Sequence, residues 1–287
     1  MKQRFTKLLL LFAISTSHSL SGWAQATKLT TISYGSFSAF GGIHPQGNTL
    51  YFVGRHAADT YEWTKLDLGN SNPATNTTII TNDHYRATGN TVISSVTRIG
   101  NNVFSCFAKP TNVQDLEFSR FNTEAATEQW VDIYPGSGGT TYSYPSNFNL
   151  DASTNRVYFG ANPGSGFQIM YWSPTDNSIT RLTNISGGVS QSSNGNLSFL
   201  GDTIYTAAYI NSYFGFIKIN KNNGGYVYYN LSGISSPRNF TVVNGKIFFA
   251  ARTGTAGSAP TGSEPYNIYV YTPANGAFTK LTNYTTE

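Results

Sequence analysis

Ile169 to Asn184 reads IMYWSPTDNSITRLTN, and Ile268 to Asn283 reads IYVYTPANGAFTKLTN. The two align without a gap at a separation of 99 residues. In each, an apolar strand pattern enters a Pro-containing turn, and a second strand closes on Arg/Lys-Leu-Thr-Asn. A separation of 99 is two units of about 50 residues, and self-similarity at about 40–50 residues marks an array of small β units.

The intermediate copies lie on either side. One strand type recurs as LYFVGR (Leu50–Arg55), VFSCFAK (Val103–Lys109), VYFGAN (Val157–Asn162), IYTAAY (Ile204–Tyr209) and IFFAAR (Ile247–Arg252). Each follows a Gly/Asn turn (QGNT, IGN, STNR, LGDT, VNGK), and such residues supply the positive φ of a tight hairpin. VISSVTRI, SNFNLD, NLSFL and NFTVV precede those turns. YEWTKLDL, LEFSRFNT, IMYWSPT, GFIKINK and YNIYVYT follow, and NTTIITN, TEQWVDI, SITRLTN, GYVYYNL and AFTKLTN complete the units. The pattern predicts an all-β fold, a β-propeller of about five four-stranded blades. Six blades is the alternative count, and a sandwich of two sheets is the rival fold. A single blade has two apolar faces and buries neither alone, so the copies must stack on one another. KLTTIS, Lys28 to Ser33, reads as one further strand at the point of ring closure.

The first residues, MKQRFTKLLLLFAISTSHSLSGWAQA, read as a cleavable signal peptide over 1–26, with a single propeller domain over 27–287. Lys2, Arg4 and Lys7 form its basic region. Leu8 to Ile14 form an apolar core too short for a membrane span. Small residues at Gly22, Ala24 and Ala26 allow cleavage after Ala24 or Ala26. No cysteine follows the apolar run, so a lipoprotein is not expected. The expected location is periplasmic or extracellular, with no transmembrane segment in the mature chain. Of 18 Lys and Arg against 14 Asp and Glu, three bases and no acid fall in this leader. The remainder is within about one charge of neutral, which removes the basic patch that nucleic-acid binding requires. Cys106 is the only cysteine, so no internal disulfide forms, and its apolar setting predicts a buried, inert thiol.

Asp132 to Ala161, DIYPGSGGTTYSYPSNFNLDASTNRVYFGA, resembles the secreted bacterial β-propellers with ELWxxDGT-type repeats. That family runs Asp-Ile-x-Pro-Gly, a Ser/Gly turn, Pro-Ser-Asn, a strand, an Asn/Gly turn and Tyr-Phe-x-Ala. NGKIFFAA, Asn244 to Ala251, echoes the end of the pattern. Glu62-Trp63 and Glu117-Phe118 echo its Glu-Leu-Trp, and the Asp-Gly-Thr that should follow is missing. The resemblance implies an exported propeller and no particular chemistry.

Catalytic motifs are absent from the residues themselves. His44, His56 and His84 match no compact zinc spacing and read as solvated loop histidines. No G-x-S-x-G elbow places a nucleophile. Asp151 and Asp202 are the nearest carboxylates to a glycosidase pair, and both read as caps of their own turns, as does Asp176. GSGG (Gly136–Gly139) and GTAGSAPTGS (Gly254–Ser263) lack the helix and lysine of a phosphate loop. No cofactor and no metal is expected. Tyr85, Tyr134, Tyr142, Tyr144, Tyr209, Tyr213 and Phe214 fall in or near loops, where aromatic rings engage sugars or protein partners. The sequence therefore points to a non-enzymatic binding or scaffold module for a glycan or an envelope protein. A divergent glycoside hydrolase or lyase, and a structural part of an envelope assembly, are the alternatives.

Overall fold

The structure is a computed structural model. It describes residues 40–57, 60–70, 72, 75–80, 85–86, 93–109, 112–135, 143–186, 196–210, 213–230, 234–253 and 265–285. The leader, KLTTIS, Tyr142, His84 and both Gly-rich stretches lie outside these residues.

Every described element is a strand, and the strands form five antiparallel sheets in chain order. The first holds β1 (Phe40–Gln46), β2 (Thr49–Ala57), β3 (Thr60–Asp67) and β4 (Thr77–Ile79), with the short β5 (Tyr85–Arg86) also on β3. The second holds β6 (Ile93–Ile99), β7 (Asn102–Lys109), β8 (Asn112–Asn122) and β9 (Thr127–Val131). The third holds β10 (Ser146–Asp151), β11 (Arg156–Ala161), β12 (Gln168–Ser173) and β13 (Ser178–Arg181). The fourth holds β14 (Ser198–Leu200), β15 (Thr203–Ile210), β16 (Tyr213–Asn220) and β17 (Tyr226–Tyr229). The fifth holds β18 (Ile234–Val243), β19 (Lys246–Thr253), β20 (Tyr266–Thr272) and β21 (Ala277–Lys280). The described residues thus form five units of four strands, with the short β5 added to the first, and the two-sheet sandwich is ruled out.

The first strands of successive sheets touch one another, β1 with β6, β6 with β10 and β14 with β18, which places them innermost. Aromatic and branched side chains fill the wedges between sheets. Val53, Trp63, Val103 and Phe121 join the first to the second, and Phe104, Phe118, Phe159 and Trp172 join the second to the third. Tyr158, Ile169, Ile204 and Ile217 join the third to the fourth, and Phe216, Phe240, Phe249 and Tyr271 join the fourth to the fifth. Alternation along one strand serves both neighbours: Val157 and Phe159 point back, and Tyr158 points forward. This is why the strands lack a polar face.

Sequence reading names no first strand for the first unit. FGGIHPQ carries two glycines and a proline, which weaken a strand pattern, yet it forms β1 through a register shift between Phe40 and His44. The same irregularity recurs in β6, β10 and β18. Its repeat is visible in Tyr144-Pro-Ser-Asn-Phe148 and Ser236-Pro-Arg-Asn-Phe240. In these copies Tyr144, Asn147, Ser236 and Asn239 all have positive φ, at 42°, 57°, 49° and 56°. Asn accepts that left-handed geometry better than most residues. Extra residues of this kind bend a strand, here β1, β6, β10 and β18.

His44 corrects the loop-histidine expectation. It lies on β1, buried to 7% exposure, with its ring centroid 6.1 Å from that of Trp63. His56 lies on β2 rather than in a loop. Cys106 forms no disulfide among the described residues and has no solvent exposure, as its apolar strand predicts.

Candidate functional site

Antiparallel order gives the two ends of the array different characters. At one end, turns join first to second strands, and the third strands lead to the fourth, through short turns in all sheets but the first. At the other lie the ends of the second strands, the starts of the third strands and the points where the chain leaves the fourth strands. We call these the turn end and the loop end.

The turn end is occupied by structural work. Asp151 ends β10, where its Oδ1 accepts from the Ser153 amide (3.2 Å) and the Ser153 hydroxyl (2.8 Å). Its Oδ2 accepts from Thr154 Oγ1 (2.9 Å) and from Lys221 Nζ (2.6 Å). The predicted turn cap is therefore present, and it doubles as an ion pair between the third and fourth sheets. Lys221 is only 2% exposed, and its own amide donates to the Asp202 carbonyl at 2.9 Å. Burial alone would raise the Asp151 carboxyl, but hydrogen bonds from Lys221, Ser153 and Thr154 outweigh it and hold the group below the usual carboxylate range. Asp176 caps its turn through the Ser178 amide at 3.3 Å.

Six of the aromatic residues singled out from the sequence are described, Tyr85, Tyr134, Tyr144, Tyr209, Tyr213 and Phe214, and they stand on or next to strand ends at the loop end. Their surroundings differ. Tyr209 and Phe214 face each other across the β15–β16 hairpin, ring centroids 4.6 Å apart, and Tyr209 is 39% exposed. This pair continues the row of Tyr205, Ala207 and Phe216 beyond the core. Tyr134 instead packs on Gly164, where an added Cβ would lie 2.5 Å from its ring. Tyr144 packs on Cys106 and Leu116. Tyr85 and Tyr213 stand on β5 and β16. A further cluster was not foreseen: the Arg238 and Arg252 guanidinium carbons lie 3.4 and 4.7 Å from the Tyr266 ring centroid, giving a cationic aromatic group on the fifth sheet.

A repeated polar residue holds the connections of this end in place. Glu62, Glu117, Gln168, Gly215 and Asn267 share one register position, opposite Gly54, Phe107, Ala161, Ala208 and Ala251. The Glu117 carboxylate accepts from the amides of Ile133 (2.8 Å) and Ser143 (3.2 Å) and from the Ser143 hydroxyl. Gln168 Oε1 accepts from the Ile185 amide (2.7 Å) and Thr183 Oγ1 (3.0 Å), and its Nε2 donates to the Ile185 carbonyl (2.9 Å). Asn267 Oδ1 accepts from the Tyr284 amide (2.7 Å) and Thr282 Oγ1 (3.1 Å). Each grips the chain where it leaves its outermost strand. Gly215 breaks the series for lack of room: a Cβ there would lie 2.5 Å from the Tyr229 carbonyl oxygen. Sequence reading missed the set because its members differ in identity, although Glu62-Trp63 and Glu117-Phe118 were the visible signal.

Glu117→Ala strips the acceptor from two amides and a hydroxyl. An expected loss of about 2–3 kcal/mol follows from leaving buried donors unmade. Urea unfolding would read it as a lower midpoint at constant slope, and a midpoint unchanged from wild type would refute the clamp.

Among the described residues no group of three or more His, Cys, Asp or Glu is placed to hold a metal ion. Among them, too, no helix is long and apolar enough to cross a membrane.

No family model matches the sequence, and no curated protein does. Solved structures do match in shape. A mutant of puromycin hydrolase complexed with PGG superposes with a TM-score of 0.54 at 9% identity, over 83% of this chain and 36% of that one. A second puromycin hydrolase structure gives 0.51 over the same shares. TolB from Acinetobacter baumannii gives 0.45 at 13% identity, over 84% of this chain and 53% of that one. The chain spans about a third of puromycin hydrolase and about half of that TolB. At these identities the likeness is one of fold.

Proposed function

We propose that this chain is an exported, non-enzymatic β-propeller that acts as a binding or scaffold module for a glycan or a protein at the cell envelope. The observation that carries the reading is the loop end itself. There the Tyr209–Phe214 pair extends past the core with Tyr209 39% exposed, while the turn end is taken up by caps and an ion pair. An exposed ring held by a second ring is preorganised, so little side-chain entropy is lost on contact with a ligand. The polar clamps fix the connections around it, as a binding surface requires. The leader over 1–26 and the single domain over 27–287 belong to this proposal, as does the kinship with ELWxxDGT-type propellers.

The test is a glycan array together with capture of envelope proteins on the mature chain. Tyr209→Ala is expected to weaken the captured interaction about tenfold or more, as a central aromatic contact does. Its fold should be undisturbed, since the ring projects beyond the packed core. Binding that survives Tyr209→Ala and Phe214→Ala at full strength would remove the loop end from the site.

A further inference from the structure

On the outer wall, where the third and fourth sheets meet, an open cleft of about 550 Å³ lies between residues 181–184 and 223–226. Its size suits a ligand of one to a few rings. Its walls are built rather than incidental. Gly224 (φ +71°) lies against the Leu182 carbonyl, where an added Cβ would be 1.9 Å from the oxygen, so backbone alone makes the floor. The Gly224 amide donates to the Asn220 carbonyl (2.9 Å), and the Asn220 amide donates to the Gly225 carbonyl (2.7 Å). Lys221, in the same turn, is tied to Asp151 by the buried ion pair. The fourth sheet thus presents a rigid lip to the third.

The chemistry of the cleft is that of donors around an aromatic face. Arg181 Nε donates to the Thr183 carbonyl (2.7 Å), and its Nη2 donates to Asn184 Oδ1 (2.5 Å) and Ser165 Oγ (3.1 Å). Asn223 Oδ1 accepts from the Gly225 amide (2.9 Å). Both asparagines therefore spend their oxygens within the protein and keep their NH2 groups for a ligand. Tyr226, 42% exposed, adds a ring with a polar tip. Among the described residues that line the cleft there is no acid, and the oxygens that accept from Arg181 Nε and Nη2 are neutral, which leaves Nη1 for a ligand. The complement is a neutral, acceptor-rich ring with one apolar face.

We propose that this cleft binds a neutral oligosaccharide, with one pyranose ring on Tyr226 and its hydroxyl oxygens accepting from Asn184, Asn223 and Arg181. The site specifies the glycan arm of the function proposed above, but it does not use the Tyr209–Phe214 pair. Saturation-transfer NMR on the mature protein tests it, with β-1,4-linked trisaccharides of glucose, of N-acetylglucosamine and of glucuronate as probes. At least one neutral trisaccharide should bind, and Tyr226→Ala and Asn184→Ala should each weaken it about tenfold, with Tyr209→Ala unchanged. Both substituted residues are exposed, and an unchanged circular dichroism spectrum confirms that the variants fold. Silence of both neutral probes, or binding by glucuronate alone, overturns the proposal. Sugar binding lost in Tyr209→Ala but kept in Tyr226→Ala also overturns it, while leaving the loop-end function standing. Loss of protein capture in Tyr209→Ala, with no sugar bound, has the same effect.

Discussion

Asp151→Ala is expected to destabilise the chain by about 3–5 kcal/mol, the cost of leaving one member of a buried ion pair without its partner. Lys221 is 2% exposed, and Asp151 Oδ2 lies 2.6 Å from its ammonium. Removing the carboxylate leaves the charge with Ser153 Oγ, at 3.1 Å, in its place. Asp151→Ala combined with Lys221→Met should recover most of the loss, because an apolar pair no longer carries a desolvated charge. The pair also fixes an acid limit. Asp151 has a folded pKa below its unfolded value of about 3.9, so its contribution is complete above that value and is lost as pH falls through the lower, folded one. Unfolding midpoints should therefore fall below about pH 4, and fall less steeply in Asp151→Asn. A single-mutant loss under about 1 kcal/mol, or a double mutant no better than the single, would show that the pair contributes little. Asp151→Asn keeps the turn's geometry and should leave ligand binding intact; a hydrolytic activity lost in it would restore the carboxylate-pair reading.

Phe216→Ala should be comparably damaging, at about 3–5 kcal/mol, for a different reason: it empties the junction of the fourth and fifth sheets. Phe216 has no exposure and sits among six rings, with centroids at 4.9 Å (Tyr271), 5.1 Å (Phe278), 5.4 Å (Phe249), 5.7 Å (Phe240), 5.8 Å (Tyr229) and 5.9 Å (Tyr205). Four of these belong to the fifth sheet, so the loss falls on the contact between units as well as within one. A double-mutant cycle with Phe249→Ala should show a coupling of about 0.5–1.5 kcal/mol, the worth of an aromatic pair beyond its buried area. Additive losses would mean that the two rings contribute independently.

What the sequence disclosed depended on whether a feature repeats by identity or only by position. IMYWSPTDNSITRLTN and IYVYTPANGAFTKLTN repeat by identity, so strand order and a count of about five units could be read, with six as the alternative. The clamp residues repeat by position while varying from glutamate to glutamine to asparagine, and a glycine interrupts them, so no alignment by letter exposes them. Asp151 and Lys221 are 70 residues apart in different units, and only the stacking of sheets brings them together. FGGIHPQ hid a strand because its glycines and proline signal a bend, and a bent inner strand is what the ring's axis demands there. Which loop aromatics pack inward was not legible: Tyr134 lies on Gly164 and Tyr144 on Cys106 and Leu116, while Tyr209 stays 39% exposed, and no letter in the sequence marks the difference.

The solitary thiol turns the molecule into its own chronometer. Cys106 is sealed between Leu116 and Tyr144, where the second sheet meets the connection to the third. An alkylating reagent reaches it only when that seam parts, so its labelling rate, against that of a free thiol, counts the fraction of time spent ajar. Because each sheet leans on its immediate neighbours, Phe216→Ala two junctions away offers a comparison. If the blades part independently, labelling in that variant keeps the wild-type pace; if the circle lets go as one, it quickens in step with the lost stability.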